Sequence, residues 1–283
     1  MPTSFLVGPT ATGKSAVALE LAGMIDAEIV SADSMQVYRG MDIGTAKIKG
    51  QHLVDVCDIT EHFDVKRYVE LATPLLNNAI VVGGTGLYVR ALRQGLFEGP
   101  GRNVKLRARL EAMPATELFA ELRQLDPKAA GDIDRHNTRR LVRAIEVFQA
   151  TGKSIRDFQT QQSTTGIVIG LNRERGDLRD RIDRRIDEQM AAGWLEEVRA
   201  LLARGLAQNA TAMQAAGYRE LAAHLAGTLS LPEAVALIKT RTRQLAKRQL
   251  TWFRREPNLS WLEIPRDELP GQTARRVLDL IPT

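Results

Sequence analysis

A single cysteine, Cys57, stands in a chain of 283 residues. That scarcity excludes an intramolecular disulfide and a cysteine-based zinc site, and it fits a reducing compartment. As a small buried residue Cys57 needs no chemical role. The four histidines are scattered without an H-E-x-x-H spacing, so they define no metal site. No apolar run approaches the roughly 18 residues of a membrane span, and no basic segment leads into an apolar signal stretch at the N-terminus. A soluble, intracellular protein without membrane contact is expected. Internal repeats and low-complexity tracts are missing too. No exposed heptad or strong edge-strand signal calls for a second copy, so a monomer is expected. What the chain does have is a 44 % hydrophobic content, enough for a substantial core, and a net charge of +5 that points to an anionic partner.

The opening stretch "FLVGPTATGKSAVALELA" places an apolar strand, a glycine loop and a run of helix formers in that order. Gly8 to Ser15 fit G-x-x-x-x-G-K-[ST], the phosphate-binding loop. Gly8 and Gly13 allow backbone approaches that a Cβ would block, so the amides of Gly8, Pro9, Thr10, Ala11, Thr12, Gly13, Lys14 and Ser15, the proline excepted, can ring a phosphate at a helix N-terminus. Lys14 adds a point charge, and the Ser15 hydroxyl is placed to hold Mg²⁺. Short apolar runs recur at Ile29-Val30, Ile80 to Val82 and Ile167 to Ile169, with a fifth candidate at Leu259 to Ile264. Longer helix-compatible segments separate them, which predicts an α/β parallel sheet of the phosphate-loop NTPase-like kind. From about 105 to 165, leucines and isoleucines recur at helical spacing with no strand between them. This predicts a core of 1–108 with 168–283 and a helical insertion over 109–167, entered at Gly99-Pro100-Gly101 and left through Gln159 to Gly166.

Asp33 follows the second strand and belongs at the same sheet edge as the phosphate loop. Position alone leaves it open as a Mg²⁺ ligand, a general base or a helix cap. The third strand runs into "GGTGLY", where Thr85 offers a hydroxyl at that edge; no acid ends the strand, which weakens a standard ATPase reading. Arg135, Arg139, Arg140 and Arg143 gather in the insertion, with Arg107 and Arg109 at its opening, and such cations can follow a phosphate backbone. Seven cations from Lys239 to Arg255 have no acid among them. Arg173 to Arg185 instead interleave acids with arginines and read as a solvated, salt-bridged helix.

Together, "GPTATGKS", "SADSMQVYRGMDIGTAK", "GGTGLY", "NTRRLVRAIEVFQATGKS", "AAGYRE" and "RTRQLAKRQLTWFRR" resemble the bacterial tRNA dimethylallyltransferases, collinearly to about residue 255. The resemblance implies that the phosphate loop holds dimethylallyl diphosphate and that the helical insertion grips a tRNA anticodon stem-loop. It implies transfer of the prenyl group to N6 of the adenine 3′ of the anticodon, with Mg²⁺. On the matching positions, Asp33 is the base, Thr10, Lys14 and Arg219 serve the diphosphate, and Asp33, Ser34, Met35, Gln36, Thr85, Arg107, Arg139, Arg140, Leu141, Val142 and Arg143 touch tRNA. The link from Lys47 to Asp55 is shorter than the family's usual length, and Arg139 stands where a glutamine is common. An adenylate isopentenyltransferase, a phosphate-loop small-molecule kinase and a non-catalytic RNA-binding protein are the alternatives.

Overall fold

A computed structural model describes residues 3–96, 99–101, 103–158 and 166–281. The chain begins with β1 (Ser4–Val7), α1 (Lys14–Ile25), β2 (Glu28–Ser31), α2 (Val65–Ala72), β3 (Ala79–Gly83) and α3 (Gly86–Gln94). It continues through α4 (Val104–Glu111), α5 (Ala115–Leu125), α6 (Pro127–Ala130) and α7 (Thr138–Thr151). After these come β4 (Ile167–Asn172), α8 (Arg175–Ala191), α9 (Trp194–Ala203), α10 (Tyr218–Leu225), α11 (Leu231–Phe253), β5 (Leu259–Glu263) and α12 (Pro270–Leu278).

The five strands form one parallel sheet in the order β2-β3-β1-β4-β5. β1 lies at its centre, and its run Ser-Phe-Leu-Val is buried throughout, as a strand covered on both faces requires. Alternation divides its side chains: Leu6 packs with α1 and α12 on one face, while Phe5 and Val7 join the larger core on the other. β5 takes the edge position that its weaker signal foretold. The strands thus match the α/β reading. α8 and α9 are separate helices and not one, because Gly193 at φ 96° ends α8 and starts α9. Over 231–253 a single helix forms: Ser230 accepts from the Glu233 amide while the Glu233 carboxylate accepts from the Ser230 amide, a capping box that fixes its start.

The chain divides into two compact units, Met1–Arg93 with Thr164–Thr283, and Gln94–Ser163. The second begins earlier than the expected boundary at 108/109, which falls inside α4. The reason is packing: Leu110 of α4 joins Leu118, Leu122, Leu141 and Ile145 in the second unit's own core. Of the expected return segment, residues 159–165 lie outside the described residues.

Candidate active site

The turn from β1 to α1 has the backbone of a phosphate cradle. Gly8 sits at φ 140°, and a Cβ there would lie 2.3 Å from the Leu171 carbonyl oxygen. Gly13 caps α1 at φ 98°, and Ala11, without a glycine's freedom, is held at φ 64°. Such an outlier persists only where its surroundings enforce it. Here they do so through the loop's carbonyls. Arg181 Nε donates to the Ala11 carbonyl at 3.0 Å, and Arg173 Nε donates to that of Thr12 at 3.0 Å. The Pro9 carbonyl accepts from Thr12 Oγ1 at 3.0 Å and from Lys14 Nζ at 2.6 Å. Burial, reinforced by the neighbouring Arg185 charge and opposed by Asp33, lowers the Lys14 pKa to about 7. A phosphate beside Nζ would favour its charged form.

Asp33 leaves the sheet just after β2. Its Oδ1 accepts from the amides of Met35 at 2.8 Å and Gln36 at 3.4 Å, closing a turn that leaves Oδ2 without a hydrogen bond among the described residues. Thr85 reaches the same turn: its Oγ1 accepts from the Ser34 amide at 3.0 Å, and its own amide donates to Ala32 O at 3.1 Å. Gln36 spans from Ser31, whose hydroxyl donates to Oε1 at 2.8 Å, to the Thr45 carbonyl, which accepts from Nε2 at 3.1 Å.

Loop and turn face one cavity with two lobes. The first, of about 480 Å³, is lined by Gly13, Lys14, Ser15, Asp33 and Gln36. The second, of about 310 Å³, is lined by Met35, Thr85, Ile186, Trp194 and Leu245. Thr10, Ala11, Asp33, Arg185 and Gln249 line both lobes. The structure therefore gathers Thr10, Ala11, Gly13, Lys14, Ser15, Asp33, Ser34, Met35, Gln36 and Thr85, ten sites expected from sequence.

Other positions differ from the expectations. Arg219, in the first turn of α10, is exposed and lines neither lobe. The half-buried guanidinium of Arg185 occupies the cavity wall instead. It comes from the helix read as an ordinary solvated one, and that reading is corrected: one face of α8 and its lead-in is turned to the phosphate loop, with Arg173 buried and ion-paired to Asp177 at 3.0 Å. The basic run in α11 is also less unbalanced than it reads. Lys239 pairs with Asp187, Arg243 with Asp183 and Arg241 with Glu220, acids drawn from α8 and α10. Gln249, a neutral residue inside that run, escaped notice; only its neighbours' charges gave a signal.

In the second unit, Leu141 and Val142 are buried in the helical core, so their side chains present nothing to a ligand. Arg139 and Arg140 are exposed in the first turn of α7. Arg107 and Arg143 converge on Glu146, which accepts from Arg107 Nε at 3.0 Å and Nη2 at 2.9 Å and from Arg143 Nη1 at 2.6 Å.

A parallel sheet with its glycine loop after the central strand, a basic residue at the loop's end and an acid after a nearby strand defines a phosphate-loop protein of the NTPase-like class. Within that class the chain belongs to the IPP transferase family, whose model matches residues 36–256; a second model, isopentenyl transferase, matches 1–56. The tRNA dimethylallyltransferase of Symbiobacterium thermophilum is 43 % identical, covering 99 % of this chain and 95 % of its own length. That of Geobacter metallireducens is 44 % identical over 91 % of both. The full-length tRNA isopentenylpyrophosphate transferase of Bacillus halodurans matches with a TM-score of 0.72 at 36 % identity, covering 98 % of this chain and 96 % of that one. A eukaryotic dimethylallyltransferase acting on tRNA shares the fold with a TM-score of 0.83 at 23 % identity, over 98 % of this chain and 78 % of its own. Among the described residues no helix is long and apolar enough to cross a membrane.

Proposed function

We propose that the protein transfers a dimethylallyl group from dimethylallyl diphosphate to N6 of the adenine immediately 3′ of the anticodon in tRNA, releasing pyrophosphate. The observation that carries this reading is the shared cavity, in which a carboxylate, Asp33, and a phosphate loop line the same wall. The adenine amine attacks the allylic carbon as the carbon–oxygen bond to diphosphate breaks, and Asp33 takes the proton that N6 sheds. Lys14, Arg185 and the loop amides stabilise the charge left on pyrophosphate. An aromatic amine is a weak nucleophile, so both the base and the stabilised leaving group are needed. The target adenine must leave the anticodon-loop stack to enter the cavity.

Mg²⁺ fits the oxygen donors present. Ser15 and Asp33 line the same lobe, and among the described residues no cluster of three metal-binding side chains forms a protein cage. That suits an ion which takes most of its ligands from substrate phosphates and water. The Ser15 hydroxyl would hold it, and when bound it neutralises diphosphate charge.

The test is incorporation of labelled dimethylallyl diphosphate, with Mg²⁺, into unmodified tRNA, AMP and ADP, alongside ATP hydrolysis. Label in tRNA alone is expected. Label in the free nucleotides would make the enzyme an adenylate prenyltransferase, and ATP turnover without prenyl transfer would make it a kinase. The arginines of α7 supply a separate prediction. Reversing Arg139 and Arg140 to glutamate should weaken tRNA binding and lower its salt slope by about 1 to 2. An unchanged slope would show that neither residue meets a phosphate.

A further inference from the structure

Gln249 makes two hydrogen bonds that join the two sides of the cavity. Its Oε1 accepts from the Thr10 amide of the phosphate loop at 2.8 Å, and its Nε2 donates to the Gly84 carbonyl at 3.1 Å. Gly84 precedes Thr85, whose hydroxyl and amide hold the Asp33 turn through Ser34 and Ala32. An unbroken path of hydrogen bonds and short backbone links therefore runs from Thr10 through Gln249 to the turn that carries Asp33.

Both bonds need the carboxamide. A carboxylate could accept from Thr10 but could not donate to Gly84, and a thioether could do neither well. The glycine is matched to it, since a Cβ at Gly84 would lie 2.3 Å from Nε2. The helix behind Gln249 is fixed as well. The buried Glu256 accepts from Arg90 at 3.1 Å and Arg93 at 2.7 Å, both on α3, and Arg90 lies 4.6 Å over the Trp252 ring. Trp252 in turn fills the space beside Gly86, where a Cβ would meet its Nε1 at 2.1 Å. α11 and the Gly84–Gly86 turn are thus locked together, which leaves the Gln249 head as the adjustable contact to the phosphate loop.

We infer that Gln249 is a positioning residue that couples the two substrate sites, so that occupation of the phosphate loop by diphosphate tightens the grip on tRNA at the Asp33–Thr85 side. This rests on the proposed transferase reading for the identity of the ligands. A ligand that orders the loop fixes the Thr10 amide, and through Gln249 it fixes the Gly84 carbonyl and the turn beyond. By linkage, tRNA tightens donor binding by the same factor.

The experiment measures tRNA affinity with and without saturating dimethylallyl thiolodiphosphate, an unreactive donor analogue, in the presence of Mg²⁺. In the unaltered protein the analogue is expected to tighten tRNA binding by about fivefold or more. In Gln249→Met and Gln249→Glu that factor should fall to about one; the methionine variant should bind each ligand alone within about threefold of normal, whereas the glutamate variant, whose carboxylate stands beside the phosphate loop, should also bind the donor analogue alone more weakly. Gly84→Ala reaches the same carboxamide from the other side and should remove the coupling without altering α11. Persistence of the coupling in all three variants would overturn the inference, as would its absence in the unaltered protein. If both separate affinities collapse together with the melting temperature, Gln249 is a structural brace only and the inference fails. Should the unaltered protein bind tRNA but not the analogue, or neither, the transferase reading itself would fall; label transfer to tRNA without coupling would remove only the inference.

Discussion

Asp33→Asn is expected to lower prenyl transfer by roughly 10²–10⁴-fold while tRNA affinity stays within about threefold. The separation follows from the two jobs of this side chain. Oδ1 closes the turn over Met35 and Gln36, an acceptor role that an asparagine oxygen also fills. The other oxygen lies at a cavity wall and is the group that can take a proton, which the amide of asparagine cannot do at neutral pH. Asp33→Ala removes both jobs, so it should be equally inactive and less stable by about 1 kcal/mol. Single-turnover transfer with labelled donor, beside filter binding of tRNA, reads the two effects separately. A variant that still transfers at more than a tenth of the normal rate would show that Asp33 is not the base. A large loss of tRNA binding in the asparagine variant would mean that the carboxylate acts in recognition.

Removing the charge at Glu146 should have the largest effect on stability. Its carboxylate is fully buried and accepts from the Asn103 amide at 2.7 Å besides the two arginines. Burial by itself would raise its pKa, but the Arg107 fork, the Asn103 amide and Arg143 outweigh that and hold it at about 2. Glu146→Gln keeps one acceptor but removes the negative charge on which both guanidiniums converge, while Arg143 Nη2 still donates to the Pro100 carbonyl at 3.0 Å. Arg107 and Arg143 remain about a quarter exposed, at 26 % and 27 %, so water relieves part of the penalty. The expected loss for the 94–163 unit is about 2–3 kcal/mol, below the roughly 3–5 kcal/mol of a fully buried broken pair.

The pH dependence has a definite sign. The folded pKa lies below the ordinary glutamate value of 4.5, so the stabilisation is present at neutral pH and is lost as pH falls from about 4.5 toward about 2. The gap between unaltered protein and variant should therefore be constant from pH 8 to pH 5 and should close below pH 4.5. Hydrogen-exchange protection of the α4 and α7 amides across that range is the measurement. Equal protection in the two proteins at pH 7 would show that the buried carboxylate does not hold this unit together.

The contrast between the strands and the arginines shows what a sequence can display. Phe5-Leu6-Val7 and Ile80 to Val82 were legible because burial on both faces demands continuous apolar runs, and the glycine loop was legible because its backbone admits few residue types. Arg173, Arg181 and Arg185 were not, although the first two hold the loop's carbonyls and the third lines the cavity. Alternating charges look the same on a solvated helix and on one facing a phosphate loop; only the fold chooses. Gln249 carries no charge or period at all, and its meaning lies in two backbone groups more than 160 positions away, Thr10 and Gly84. The resemblance marked Arg139 to Arg143 as one contact segment; the structure exposes Arg139 and Arg140 and turns Leu141 and Val142 into the helical core.

The central position of β1 also sets an order of assembly. Ser4 to Val7 register against Ile80 to Gly83 on one side and against Ile167 to Gly170 on the other. During synthesis the β3 partner is made first, and β4 emerges only after the whole of 94–163. At about 5–20 residues per second that wait lasts several seconds. Throughout it, one edge of the strand that leads into the phosphate loop offers unpaired amides and carbonyls to any other extended chain. Prompt closure of the helical unit shortens the reach between β3 and β4. A variant that slows its folding, Glu146→Gln among them, would thus cost soluble yield in the cell by way of the sheet, at a strand that the substitution never touches.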